Sequence, residues 1–457
     1  MKKTVSLILS VFIIFSACLP FAYAVDINHD EGMYEIDSPV AADAYMLIDL
    51  NHDNTVIAQK NKDKVKYPAS LTKIVTTMVT LNHVKDLQQS TTVSQHAIDV
   101  VSGRDAQVAG LKAGESITIE QLLYLTMVHS ACDACQVLAE TVAKNEAEFA
   151  DMMNEWAASI GCKNTHFTNP DGLHDDNHYT TAADMMLIAL EAIKNETFVK
   201  ISTTTNYTYG ETTFIHTNFM LDKDHTSYYY EYAKGIKTGS TTQAGYCVIT
   251  MAEKENRKYL AIVMDSPSMT VDGVEGKGSF IDAKAIFEWA FAMKKQTVAG
   301  VNTAVKSIAV LDGKDADTVD LVPVEDVSAL VPENFNAHNI VIEPQKMPEN
   351  LKAPVNTEDT VCTAKITYNG KIIGTTKLVA ANEVKLNLFS RIFRVIGEFI
   401  KNHTVIFIIL IIVVLIALFL IIQAVRRKKA KKESNSVEKS VPQEHAIAKT
   451  KIITIIK

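Results

Sequence analysis

The chain predicts an α/β (α+β) domain in which a mostly antiparallel sheet flanks a long helical insert, followed by a small all-β domain and one transmembrane helix. Three observations predict it. A strand hairpin near residue 44 is separated from paired strands near residues 244–264 by about 180 residues of largely helical patterning. A composition change after about Thr297 replaces helical periodicity with short β-rich runs and turn residues. Thr404 to Val425 is an uncharged run of 22 residues, which at about 1.5 Å per residue spans about 33 Å.

Taken in order, Met1-Lys2-Lys3, an apolar run from Val5 to Phe21 and Ala22-Tyr23-Ala24 read as a secretory signal, residues 1–24. Lipid modification at Cys18 is the weaker alternative, because Phe15 stands where an aliphatic residue is expected. Residues 25–37 are a linker. Ala44 to Leu50, the turn cluster Asn51-His52-Asp53-Asn54 and Thr55 to Gln59 form the opening hairpin. A helix is expected from Ser70 to about Leu81, with Leu71, Ile74, Val75, Met78 and Val79 on its buried face. Thr118-Ile119-Glu120-Gln121 is a capping box before a further helix, which His129–Ala134 interrupts. Helical patterns resume at Cys135–Val142, Glu146–Ile160 (ended by Gly161) and Thr180–Ile193. From Ile201 the pattern turns to strands. Ala244–Met251 and Lys258–Met264 should pair antiparallel, and Phe280–Phe291 is a helix that packs back on the sheet. This sets the first domain at 38–297. The all-β domain, 298–383, is marked by Ser307–Leu311, Ile340–Glu343, Cys362–Tyr368 and Lys371–Val379, with Asn369-Gly370 as a hairpin turn. Over 384–403, Phe389, Ile392, Phe393, Ile396, Phe399 and Ile400 share one helical face, as in an interfacial amphipathic helix. The span 404–425 precedes Arg426-Arg427-Lys428-Lys429-Ala430-Lys431-Lys432. The positive-inside rule puts the tail 426–457 in the cytoplasm and the domains outside.

The formal net charge is −8; with +7 in residues 426–457 and +2 in the signal, residues 25–425 carry −17. Such an acidic body argues against a nucleic-acid partner, and the basic cluster reads as a topology signal and anionic-lipid contact. Of six cysteines, Cys18 leaves with the signal, and the odd, scattered remainder is no disulfide framework. Cys132 and Cys135 have Cys-x-x-Cys spacing, but no second pair completes a zinc site. Turn chemistry explains the loop Asn169–His178 without a metal at its histidines and aspartates. No metal or cofactor is expected.

Chemistry concentrates in Tyr67-Pro68-Ala69-Ser70-Leu71-Thr72-Lys73. On a helix opening after Pro68, Ser70 and Lys73 lie one above the other. A free serine is a poor nucleophile, and a neighbouring lysine held at low effective pKa can take its proton. About one or two Ser-x-x-Lys matches are expected by chance in such a chain, and Ser436-Val437-Glu438-Lys439 is the second here. Only the first has partners: Ser130-Ala131-Cys132 and Lys237-Thr238-Gly239, in that order.

These stations resemble the penicillin-recognising serine enzymes of the β-lactamase/DD-peptidase-like fold. Pro68-Ala69-Ser70-Leu71-Thr72-Lys73, Ser130-x-x-Asp133-Ala134, Asn169-Pro170-x-Gly172-Leu173 and Lys237-Thr238-Gly239-x-Thr241-x-x-Ala244-Gly245-Tyr246 look like the low-molecular-mass penicillin-binding proteins, the D-alanyl-D-alanine carboxypeptidases. The trailing β domain and amphipathic helix also fit that family. The resemblance implies removal of the terminal D-alanine from peptidoglycan stem peptides through an acyl-enzyme on Ser70, and covalent capture of β-lactams. It further implies Lys73 as base, Ser130 as proton relay, Lys237, Thr238 and Gly239 as the substrate-binding strand, and the backbone N–H groups of Ser70 and Ser240 as an oxyanion hole. The second motif usually reads Ser-x-Asn. Cys132 replaces the amide with a weak donor and weak acceptor at a substrate-binding position, which leaves the balance of hydrolysis and transfer open. The rival readings are a DD-transpeptidase of the same family, a β-lactamase and a catalytically silent wall-binding protein. No Glu-x-x-Leu-Asn lies between Ser130 and Lys237 to support a class A β-lactamase; Glu383-Val384-Lys385-Leu386-Asn387 falls outside the catalytic region.

Overall fold

A computed structural model describes residues 34–438 apart from Asp53, His225, Thr226 and Asp272. The secretory signal, most of the linker and the tail beyond Glu438, including Lys439 of the second Ser-x-x-Lys, lie outside the described residues. The described chain divides into two compact units, one running to Val305 with Val322–Met347 and Cys362–Leu378, the other holding Lys306–Leu321, Pro348–Val361 and the chain from Val379.

The first unit is built on an antiparallel five-stranded sheet. Its strands are β1 (Ala44–Asp49), β2 (Thr55–Lys60), β3 (Ala233–Thr241), β4 (Gly245–Lys254) and β5 (Arg257–Ser266), in the order β2-β1-β5-β4-β3. Both faces are buried, so the strands read as apolar runs, yet their alternation still sorts side chains. Met46, Ile48, Ile249, Leu260 and Ile262 point into the core shared with the helical insert. Leu47, Val248, Tyr259, Ala261 and Val263 point into a second core with the closing helix, Gly278–Ala292. The long non-local connection between β2 and β3 carries the insert. The strand bearing Lys237-Thr238-Gly239 is the last of this sheet, with no strand paired on its outer side among the described residues.

In the insert the helices follow the expected periodicity, with local corrections. The helix α1 begins at Lys73 and runs to His83, and Ala69–Thr72 form a turn of 3-10 helix before it. The capping box is present, with Thr118 Oγ1 accepting from Gln121 N and Gln121 Oε1 accepting from Thr118 N. A turn of π-helix over Leu125–His129 ends at Ser130, and α2 (Cys132–Val142) starts three residues before the expected position, with Asp133 favourably placed in its first turn. A short helix, Glu196–Ser202, overlaps the start of the region read as strands from Ile201, and Asn195 caps it through Phe198 N at 3.1 Å; the strands Asn206–Tyr209 and Thr212–Ile215 then follow and pair antiparallel.

From Lys294 to Ala380 the chain is a succession of strands, beginning a little before the expected boundary. Within the first unit, Ile340–Gln345 pairs antiparallel with residues 363–368, and Asn369 and Gly370, both at positive φ, turn the chain into the next strand, which begins at Lys371. Within the second unit, Lys306–Leu311 pairs antiparallel with residues 318–321 and parallel with Asn350–Lys352. The helix α3, Leu388–Asn402, also belongs to the second unit. Arg394 grips the buried Asp312 through Nε at 2.9 Å and Nη2 at 2.6 Å, and Ser390 Oγ adds a bond at 3.3 Å. Leu388, Phe389, Ile392, Phe393, Ile396 and Phe399 are exposed on the helix, as an interfacial face requires. The helix α4 (Thr404–Glu438) follows, and its stretch Thr404–Lys432 is long and apolar enough to cross a bilayer.

Candidate active site

Ser70 is presented by a tightly held approach. Backbone bonds of 2.8 Å in both directions pair Lys66 with Thr180. The Lys66 ammonium bridges the carboxylates of Asp43 and Asp265, and Lys64 holds Asp43 as well, at 2.7 Å. These two lysines lower the Asp43 pKa from 3.8 to about 2. A carboxyl group depressed in this way stabilises the fold above its unfolded pKa and loses that contribution as pH falls through the folded value. Asp43→Asn is therefore expected to cost about 1 kcal/mol or less near neutrality. Denaturant melts of the two proteins should converge as pH drops from about 4 to about 2.

After Pro68 the chain turns sharply at Ala69, φ +47°. In the 3-10 turn that follows, residues three apart eclipse one another. Lys73 Nζ consequently lies 2.9 Å from Ser70 Oγ. Its other contacts are the Asp171 carbonyl oxygen at 2.5 Å and Cys132 Sγ at 3.4 Å. Lys73 is fully buried. An ammonium offers three protons, and here it meets three acceptors. A neutral amine with two protons on Asp171 and Cys132 would turn its lone pair to the Ser70 hydroxyl, the geometry of a general base.

The electrostatics correct the simple expectation of a depressed lysine. Burial opposes the Lys73 charge, but Cys132, Cys135 and Asp171 favour it and hold the group above the ordinary lysine value. Lys237 goes the other way: burial first, then repulsion from Lys73, pushes it well below that value. Of the two lysines, Lys237 is the one whose charge the site disfavours.

Lys237 Nζ bonds the Thr238 carbonyl at 3.0 Å, and the Thr238 hydroxyl donates to Thr217 Oγ1 at 2.7 Å. Gly239 lies against the turn that carries Ser70: a Cβ there would stand 2.9 Å from Pro68 O and 3.1 Å from Ser70 N. Ser240, exposed, is the next residue of this edge strand and pairs with Tyr246. Ser130 is buried in a left-handed conformation, φ +65°. Among the described residues no hydrogen bond joins it to Ser70, Lys73 or Lys237. The geometry thus brings Ser70 and Cys132 each into contact with Lys73 and sets Gly239 beside Ser70.

Three contributors were not legible as site residues. The loop Asn169–Leu173 is built by turn chemistry, as expected: Asn169 Oδ1 accepts from Gly172 N at 2.7 Å, and Asp171 Oδ1 from Leu173 N at 2.9 Å. Its product is a carbonyl, that of Asp171, aimed at Lys73. Asp133 binds Ala109 N, Gly110 N and Leu111 N at 2.9–3.1 Å, fixing the loop whose Gln107 carbonyl accepts from Cys132 N. His178 contacts Thr72. The only sequence signal for the first two was their place within the quoted motifs.

The family profile described as D-alanyl-D-alanine carboxypeptidase matches residues 32–268, and that of the penicillin-binding protein 5 C-terminal domain matches residues 294–386. The D-alanyl-D-alanine carboxypeptidase DacF of Bacillus subtilis is 26% identical over 357 residues, covering 76% of this chain and 87% of its own. DacA of Escherichia coli K12 is 28% identical over 401 residues, covering 82% and 92%. Among solved structures, penicillin-binding protein 5 of Haemophilus influenzae aligns with a TM-score of 0.54 at 26% identity, covering 77% of this chain and all of that one. The Streptomyces K15 DD-transpeptidase aligns with a TM-score of 0.51 at 29% identity, covering 56% and 98%.

Proposed function

The chain belongs to the D-alanyl-D-alanine carboxypeptidase family, and from that premise we propose that it is a serine hydrolase that removes the terminal D-alanine of peptidoglycan stem peptides through an ester on Ser70. The carrying observation is the buried Lys73 Nζ at 2.9 Å from Ser70 Oγ. Ser70 attacks the carbonyl of the D-Ala–D-Ala bond as Lys73 takes its proton, Ser130 passes a proton to the leaving amine, and water then cleaves the ester. Lys237 receives the substrate's terminal carboxylate, with Thr238 and Gly239 lining the strand beside it and Cys132 completing the wall. A carboxylate arriving beside Lys237 favours its ammonium. That charge, felt by Lys73, favours the amine that attack requires. The N–H groups of Ser70 and Ser240 stabilise the tetrahedral oxyanion, a donor of this kind being worth about 3–4 kcal/mol. β-Lactams acylate the same hydroxyl and leave slowly. Neither metal nor cofactor enters this chemistry.

The exposed apolar face of α3 and the span after it support a protein anchored in the cell membrane by a single pass, with the catalytic unit outside and the basic tail in the cytoplasm. Transfer of the acyl group to an amine is the second reading, left open by the thiol of Cys132 where an amide is usual.

Full-length protein in detergent, given diacetyl-Lys-D-Ala-D-Ala, should release D-alanine. With labelled penicillin it should form a long-lived adduct that peptide mapping places on Ser70. An added amine acceptor that captures most of the acyl group would instead establish the transpeptidase, and rapid penicillin turnover the β-lactamase. Absence of product, adduct and turnover would eliminate every enzymatic reading and leave the wall-binding one.

A further inference from the structure

The loop histidine His178 is buried and has no part in the chemistry above. Its ring makes three hydrogen-bond contacts, with Thr168 N and Thr168 Oγ1 (3.3 Å) at Nδ1 and with Thr72 Oγ1 at Nε2, and the backbone one fixes the direction of the set. A backbone N–H can only donate, so Thr168 N, 3.1 Å away, makes Nδ1 an acceptor and puts the ring proton on Nε2. Nε2 therefore donates to Thr72 Oγ1 at 2.8 Å. The Thr72 hydroxyl, filled on its acceptor side, donates to the carbonyl oxygen of Ala69 at 2.8 Å. That carbonyl shares a rigid peptide plane with the N–H of Ser70, and the two point in opposite directions. Holding one sets the other. A second restraint acts on the same plane, since Gly172 packs so closely that a Cβ would stand 2.0 Å from Ala69 O.

We infer that His178 and Thr72 are positioning residues: the chain Thr168 N–H to His178, His178 to Thr72, and Thr72 to the Ala69 carbonyl aims the Ser70 N–H at the developing oxyanion. Hydrogen bonds in series in a dry interior reinforce one another, so the far end of the chain matters to the near one. Burial depresses the His178 pKa to about 3, which keeps the required tautomer from being lost to protonation near neutrality. The Phe167 ring, edge-on at 5.4 Å, fixes the imidazole's plane. The inference rests on Ser70 being the nucleophile, as proposed above.

The test uses full-length protein in detergent and a penicillin carrying carbon-13 at the β-lactam carbonyl. Two quantities are read: the acylation rate, and the infrared band of the ester carbonyl in the adduct, which reports hydrogen bonding in the oxyanion hole. Thr72→Val, nearly isosteric, and His178→Ala should each slow acylation about tenfold, leave the affinity of the non-covalent complex unchanged, and move the ester band to higher frequency. Thr72→Ser and His178→Gln, which keep a hydroxyl and a donor–acceptor pair, should recover most of the rate and return the band. Thermal unfolding identifies any variant that has simply lost its fold, and Thr72→Val carries the test if His178→Ala does so. An unchanged ester band in folded Thr72→Val overturns the inference and leaves the functional reading standing. A wild-type chain that takes no penicillin overturns the functional reading, and the inference with it.

Discussion

Replacing Ser70 with alanine, or Lys73 with methionine, is expected to lower D-alanine release by roughly 10⁴-fold or more, and the double variant should be scarcely worse than either single one. The non-additivity follows from contact: Lys73 Nζ and Ser70 Oγ are 2.9 Å apart, and neither group has a use in the reaction without the other. Methionine is the informative replacement because it fills much of the lysine's volume. It nonetheless leaves the Asp171 carbonyl without its donor, so some stability is lost along with activity, about 1–3 kcal/mol. The pH dependence supplies a second check. Lys73 is held above the ordinary lysine value by Cys132, Cys135 and Asp171 against burial. The amine required for attack is therefore scarce at neutral pH in the free enzyme. Since kcat/KM reports the free enzyme, it should rise with pH from about 6 to about 9 as that amine becomes available. Residual activity in Lys73→Met that lacks this rise would match. A kcat/KM independent of pH across this range would contradict the assignment of Lys73 as the base.

Gly172→Ala should be the most damaging change outside the catalytic pair. Gly172 has φ +80°, and a Cβ there would stand 2.0 Å from Ala69 O and 2.9 Å from Thr72 Oγ1. No side-chain movement relieves this, because the first of these atoms belongs to the backbone beside Ser70. The left-handed conformation and the overlap together are expected to cost about 3 kcal/mol or more. The displaced Ala69–Ser70 peptide should also slow acylation in whatever protein folds. Gly103→Ala is the control. Gly103 has a similar φ, +71°, but nothing lies within 4 Å of its added Cβ, so it should lose only the backbone contribution of about 1 kcal/mol. Equal melting shifts for the two variants would show that the close approach at Gly172 is unimportant.

Several elements were legible because their cause is local. The hairpin at Asn369-Gly370 needs two residues that tolerate positive φ, and both are there. The capping box at Thr118 and Gln121 is a contact between residues three apart. Period-two alternation in β1, β4 and β5 survives even where both faces of the sheet are buried. Misreadings also had local causes. The apolar residues after Ser70 fit a continuous α-helix, and nothing in the alanine before it announces a left-handed turn. Asn195 capped a seven-residue helix too short to show a period.

The sequence by itself determined the order of the stations, the secondary structure around most of them, and which of two Ser-x-x-Lys matches has partners. These follow from side-chain type and spacing within about one turn of helix or one hairpin. The tertiary structure alone decided the direction in which the Lys73 pKa moves, the contact with the Asp171 carbonyl and the place of His178. Those depend on groups 98 and 106 residues away along the chain, and on how thoroughly packing removes water from between them. Ionisation and hydrogen-bond direction respond to distance in space and to burial, neither of which periodicity along the chain records.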